Sequence, residues 1–139
     1  MLLPTFEFHE PRSIEEALTL KHGFGVQARF LAGGTDLLVH LKKRLFVVDH
    51  LISLDKVPSL ARIRHNPDAV EIGSCVTMSA ITHDPVIQER FSALRSGAGN
   101  LGNHLIRNRA TIGGNVCNAS PAGDTLPALV IYGAVVLLE

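Results

Sequence analysis

The chain is poor in cysteine. It has two, Cys75 and Cys117, in different segments and in no CxxC pair, so it cannot by itself supply the ligands of a structural zinc or an iron–sulfur cluster. So few thiols are read most simply as a reducing, cytoplasmic setting. Charge of one sign is also missing. Thirteen basic residues balance thirteen acidic ones, so no long-range field draws in a polyanion and no nucleic-acid partner is expected. The one basic cluster, Lys42-Lys43-Arg44, reads as a solvated helix end favoured by the helix dipole. No run reaches the ~18 apolar residues of a membrane span, and the start MLLPTFEFHEPRS has neither a basic n-region nor a long apolar stretch. A soluble, untargeted protein is expected. The seven histidines show no HExxH spacing and no serine sits in a GxSxG elbow, so neither a metal site nor a catalytic residue is expected.

What is present is ordinary globular material. Hydrophobic residues make up 46% and charged residues 19%, which is too apolar for disorder. A length of 139 residues fits one compact domain or two small lobes. Ser13-Ile14-Glu15-Glu16 has the form of a capping box, so a helix is expected from there, with Gly23 placed to end it. Val26 to Leu31 reads as a buried strand, Asp36 to Arg44 as a helix, and Val47 to Leu54 as a second strand. A turn or short helix around Pro58 leads to a β-hairpin, Ala61 to Arg64 and Val70 to Ser74, turning at Asn66-Pro67-Asp68. Thr77 to Leu94 reads as helix broken near Pro85. Ser96 to Asp124, rich in Gly and Asn, reads as a long loop moulded around a ligand. Thr125 to Tyr132 reads as a helix capped by Asp124. Ala134 to Glu139 reads as a core strand cut at the last residue, so a continuation is expected.

Two glycine pairs carry the chemistry. In Ala32-Gly33-Gly34-Thr35-Asp36-Leu37-Leu38, residues without Cβ let the backbone approach a ligand, free amides open the next helix, and Thr35 adds a hydroxyl. The motif is neither GxGxxG nor GxxxxGK[ST], so a Rossmann or P-loop reading loses support. Thr111-Ile112-Gly113-Gly114-Asn115 repeats the device far along the chain. Two such loops can clamp one diphosphate. Between the second loop and the last helix, Asp124 can accept from vicinal hydroxyls of a sugar or ribityl chain. Asn103, Arg107 and Asn108 are further candidates for a cleft wall. Cys117 reads as a small buried hydrophobe.

In order and spacing, Phe8 to Leu18 (FHEPRSIEEAL), Leu31 to Leu38, and Ile106 to Ala110 (IRNRA) running into Thr111 to Asp124 resemble the FAD-binding subunit of the molybdenum hydroxylases. That group contains carbon monoxide dehydrogenase medium subunits, xanthine dehydrogenase flavin domains and the 4-hydroxybenzoyl-CoA reductase β subunit. The resemblance spans the chain but about the first half of the family's domain. It implies an α+β fold, with a βαβ lobe over residues 1–58 carrying the AGGTD loop and the first part of a second α/β lobe over 59–139 carrying the TIGGN loop. It implies FAD as cofactor, with Leu31, Ala32, Gly33, Gly34, Thr35, Asp36, Leu37, Leu101, Thr111, Gly113, Gly114, Asn115, Ser120 and Asp124 at its site. It also implies a flavin-dependent electron-transfer component. Its partners would be a small [2Fe-2S] subunit and a large molybdenum-cofactor subunit, and its acceptor one such as NAD, quinone or oxygen. Two other readings stay open: a reductase of the UDP-N-acetylenolpyruvoylglucosamine reductase type, and a non-catalytic assembly module that keeps the fold.

Overall fold

A computed structural model describes residues 2–138. The first three strands, β1 (Glu7–His9), β2 (Ala28–Leu31) and β3 (His50–Ser53), form a parallel sheet in the order β1-β3-β2. Helices α1 (Ile14–Phe24) and α2 (Leu37–Lys42) make the crossovers that parallel strands require. Central strand β3 is buried on both faces. Leu51 packs with Leu31, Leu41 and Val48 on the α2 side, and Ile52 packs with Ala17 and Ala28 on the α1 side. That is the alternation a pleated strand dictates, and each fully buried aliphatic side chain contributes ~1.5–3 kcal/mol.

The Ser13 hydroxyl accepts from the Glu16 amide at 3.1 Å, as a cap should. The Glu16 carboxylate, however, takes the amide of Arg12 at 2.8 Å and not that of Ser13. The helix also outruns Gly23. It stops at Gly25, whose φ of 54° is the left-handed geometry that favours glycine, and a 3-10 turn then delays the start of β2 to Ala28. Strand β1 gave no expectation of its own because three residues carry no readable period.

The hairpin forms as expected from β4 (Ile63–His65) and β5 (Val70–Ile72), antiparallel, after a 3-10 turn at Pro58–Ala61. Thr77 to Leu94 breaks twice. Helices α3 (Met78–His83) and α4 (Pro85–Arg90) meet at Asp84, which caps α4 through the Ile87 amide, and Phe91 precedes α5 (Ser92–Asn100).

The expected loop from Ser96 to Asp124 is largely helical, which corrects that reading. It holds the end of α5, then α6 (His104–Arg107) and α7 (Ile112–Asn118). Side-chain caps start both short helices: Asn103 accepts from the Ile106 amide and Thr111 from the Gly114 amide. The small residues serve close packing. Ala98 is fully buried, and a Cβ on Gly97 would sit 2.3 Å from the Asp124 carbonyl oxygen.

The last helix, α8 (Leu126–Ile131), has Thr125 at its N-cap position with no side-chain cap bond, so Asp124 is not its cap. The expected strand from Ala134 has no ladder partner through Leu138, and its residues are exposed; Glu139 lies outside the described residues. A second core, built on Val76, Met78, Ile81, Ile87 and Leu94, joins α3, α4, α5, α7 and α8 to the hairpin.

Candidate functional site

The first glycine loop leaves the carboxyl end of β2, the end of a parallel sheet at which ligands bind in open α/β structures. Among the described residues, the amides of Gly33, Gly34, Thr35 and Asp36 donate to no partner. Gly34 holds φ at 77°, a conformation L side chains rarely adopt. Gly33 has a different reason for being glycine: a Cβ there would lie 2.0 Å from the Arg109 carbonyl oxygen and 2.7 Å from its carbon. The first loop is thus docked on the backbone that leads into the second. An exposed Arg109–Asp55 ion pair at 3.1 Å spans the same junction.

The second loop is built differently. Four of its amides, those of Ile112 to Asn115, are already used, with Ile112 donating to the Val76 carbonyl, Gly113 to Ser74, Asn115 to Thr111, and Gly114 to the Thr111 hydroxyl. A Cβ on Gly113 would fall 2.6 Å from the Ser74 side chain and carbonyl. The Asn115 carboxamide accepts from the Thr125 hydroxyl at 2.6 Å, and Thr125 is fully buried. The second loop is therefore a rigid wall, and the first supplies the free donors.

Between them lies a cleft of about 670 Å³, within the ~300–1,000 Å³ usual for ligand sites. Ala32, Gly33, Gly34, Thr35, Asp36, Leu37, Leu101, Thr111, Gly113, Gly114, Asn115, Ser120 and Asp124 all line it. Leu31 does not. Its side chain is buried with Leu41, Val48 and Leu51, beneath the loop. The Asp124 carboxylate is exposed and has no hydrogen-bond or ion-pair partner among the described residues.

Arg29, Phe30, His40 and Phe46 also line the cleft, with the Arg29 guanidinium 5.3 Å from the Phe46 ring centroid. Sequence reasoning missed them because Arg29, Phe30 and His40 are strand and helix residues of mixed character and Phe46 lies in the turn region after α2, so none of them sits in a motif. Of the other candidates, Asn103 caps α6 and Asn108 accepts from the Ser79 hydroxyl at 2.6 Å. Arg107 bonds the carbonyls of Leu101 and Gly102 and lines a separate hollow of about 410 Å³. Cys117 is exposed at the cleft, against the expectation of burial, while Cys75 is buried and its thiol is pushed up by desolvation.

Free amides at a glycine turn match an anion, an unpaired carboxylate across the cleft matches hydroxyls, and the apolar walls match a flat ring. Fold and cleft together define an α+β domain fitted to a dinucleotide.

Residues 4–139 match the family described as the FAD binding domain in molybdopterin dehydrogenase, and the chain belongs to that family, whose members form part of flavin-dependent oxidoreductases. It is 37% identical over 131 residues to the carbon monoxide dehydrogenase medium chain of Hydrogenophaga pseudoflava, covering 94% of this chain and 45% of that one. It is 37% identical over 135 residues to the nicotinate dehydrogenase FAD-subunit of Eubacterium barkeri, covering 96% and 46%. In structure it superimposes on carbon monoxide dehydrogenase from Hydrogenophaga pseudoflava with a TM-score of 0.87 at 35% identity, over 90% of this chain and 44% of that one. The chain spans about half the length of the curated relatives it matches. No helix among the described residues is long and apolar enough to cross a membrane.

Proposed function

We propose that the chain is the front part of the FAD-holding component of a cytoplasmic molybdenum hydroxylase, with residues 1–58 as one lobe and 59–139 as the start of a second. The observation that carries this reading is the run of four undonated amides, Gly33 to Asp36, in the cleft that Asp124 also lines. Those amides and the Thr35 hydroxyl hold the diphosphate. Asp124 accepts from the cofactor's hydroxyls, and Ser120, whose hydroxyl accepts from the Ala122 amide at 3.3 Å, lines the same cleft. Ala32 allows close approach, and Leu37 and Leu101 give apolar wall. Leu31 acts from below by supporting Gly34, since its Cδ1 would be 3.1 Å from a Cβ there. Thr111, Gly113, Gly114 and Asn115 form the wall that faces the first loop.

When bound, the flavin supplies an electron relay between [2Fe-2S] clusters and an acceptor such as NAD, quinone or oxygen. The clusters and the molybdenum cofactor belong to a small and a large partner subunit. The test is to purify the full-length protein, denature it and measure what is released. One FAD per chain, freed without proteolysis, is expected; no flavin, or flavin that stays on the chain, overturns the reading. Co-purification of iron and molybdenum checks the partners.

Thiol labelling gives a second measurement. The thiolate is the reactive form, and burial raises the Cys75 pKa with a further contribution from Asp55, offset in part by a bond with Ser74. At neutral pH Cys75 should stay protonated and unlabelled, reacting only as pH rises. Cys117 should be alkylated in the apo-protein and protected by FAD. Equal labelling of Cys117 with and without FAD would put the cofactor elsewhere.

A further inference from the structure

We propose that Glu7, His9 and His50 form a binding site for one divalent transition cation of the zinc type, which clamps β1 to β3. In a strand, alternate residues share a face, so Glu7 and His9 project together from β1. The parallel register pairs Glu7 with His50 on β3, which brings the second imidazole to the same face. His50 opens β3, whereas the glycine loop follows the last residue of β2, so this cluster lies at the other end of the strands from the cleft and lines no part of it.

Three potential ligand atoms converge there. His9 Nε2 is 3.2 Å from His50 Nδ1, His50 Nδ1 is 3.3 Å from a Glu7 carboxylate oxygen, and His9 Nε2 is 3.8 Å from that same oxygen. Zinc binds imidazole nitrogen at ~2.0–2.1 Å and carboxylate oxygen at ~2.0–2.2 Å, so tetrahedral ligand atoms stand ~3.3–3.5 Å apart. The observed triangle has nearly those edges. The two nitrogens and one oxygen are also the donor set that borderline cations prefer. Both rings are held in place: Phe24 at the end of α1 stacks on His50 with centroids 3.8 Å apart and lies 4.9 Å from His9. The imidazoles are largely buried, at 22% and 17% exposure, while Glu7 at 72% leaves the open side to water as a fourth ligand.

The benefit to the fold follows from the position. β1 is an edge strand of three residues, two of them exposed, and a bond through metal to the central strand would fasten it. No motif announces this site, because the two histidines lie 41 positions apart.

The experiment titrates the full-length protein, stripped with chelator, with cobalt(II) alone and then with zinc(II). One equivalent of cobalt should bind with the intense visible bands of four-coordinate geometry, zinc should displace it, and zinc should raise the melting temperature. Glu7→Gln changes an exposed side chain and should keep the fold, checked by far-UV circular dichroism. It should weaken binding by more than the ~10- to 100-fold that loss of an outer hydrogen-bond partner costs a metal site. His9→Gln/His50→Gln together should abolish the cobalt bands. Absence of one-equivalent binding in the parent protein would show a hydrogen-bonded trio only. Unchanged affinity in Glu7→Gln, or cobalt bands surviving in the double variant, would place the metal on other residues; either result overturns the proposal.

Discussion

Gly33→Ala in the full-length protein should lower the melting temperature and abolish FAD retention together. The added methyl would meet a backbone carbonyl at 2.0 Å, and a backbone does not swing aside as a flexible side chain can. Overpacking costs ~1–3 kcal/mol, and close contact with the Arg109–Ala110 main chain places this site at the upper end. At about 2–4 °C per kcal/mol for proteins of 150 residues or more, the melting point should fall by roughly 10 °C. Relief comes only by moving the first loop away from Arg109, which also moves the four free amides from the cleft. Gly99→Ala is the matched control: its Cβ would meet nothing nearer than a Thr82 methyl at 3.6 Å, so replacing a helical glycine there should leave FAD bound and stability unchanged or slightly raised. If Gly33→Ala melts and binds FAD like the parent, the interlock between the loops does not govern the site.

The same interlock explains what the sequence could and could not disclose. Ser13 speaks for itself, because a cap is a local matter decided within a few residues. Leu51 and Ile52 alternate across a buried strand, again a local pattern. The Gly33 contact with Arg109 joins residues 76 positions apart, and nothing near Gly33 marks it. The reading of glycine as room for a ligand was therefore half the reason at best: Gly34 needs its positive φ, while Gly33 and Gly113 make room for the chain's own backbone.

The region after Ser96 departs from its expected loop for a related cause. Glycine lowers helix propensity, so, unlike Ala98, Gly97 and Gly99 favour a loop on local grounds. Their cost is offset by tertiary packing, since Ala98 is fully buried and Gly97 admits the Asp124 carbonyl. The same packing takes Asp124 off the helix end, leaving its carboxylate free in the cleft. Thr125 is buried and bonded to Asn115, yet a lone threonine before a proline-containing helix carries no distinguishing signal.

That freedom makes Asp124→Asn an incisive substitution. The side chain keeps its size, and since Asp124 neither caps α8 nor pairs with any described residue, the apo-protein should melt within a degree or so of the parent. Its carbonyl, which Gly97 accommodates, is unchanged. What is lost is the negative charge presented to the cofactor's hydroxyls. Hydrogen bonds to charged groups contribute ~1.5–3 kcal/mol, and replacing the carboxylate by an amide oxygen weakens them. With ~1.4 kcal/mol for each factor of ten in affinity, the FAD dissociation constant should rise by about tenfold or more. The measurement is a titration of full-length apo-protein with FAD, followed by flavin fluorescence, beside thermal melts without cofactor. Lower affinity at constant melting temperature places the carboxylate on the cofactor. Constant affinity removes Asp124 from the site and leaves the first loop to hold FAD through its diphosphate alone; a lower melting temperature in the apo-protein would show that the carboxylate has a structural partner.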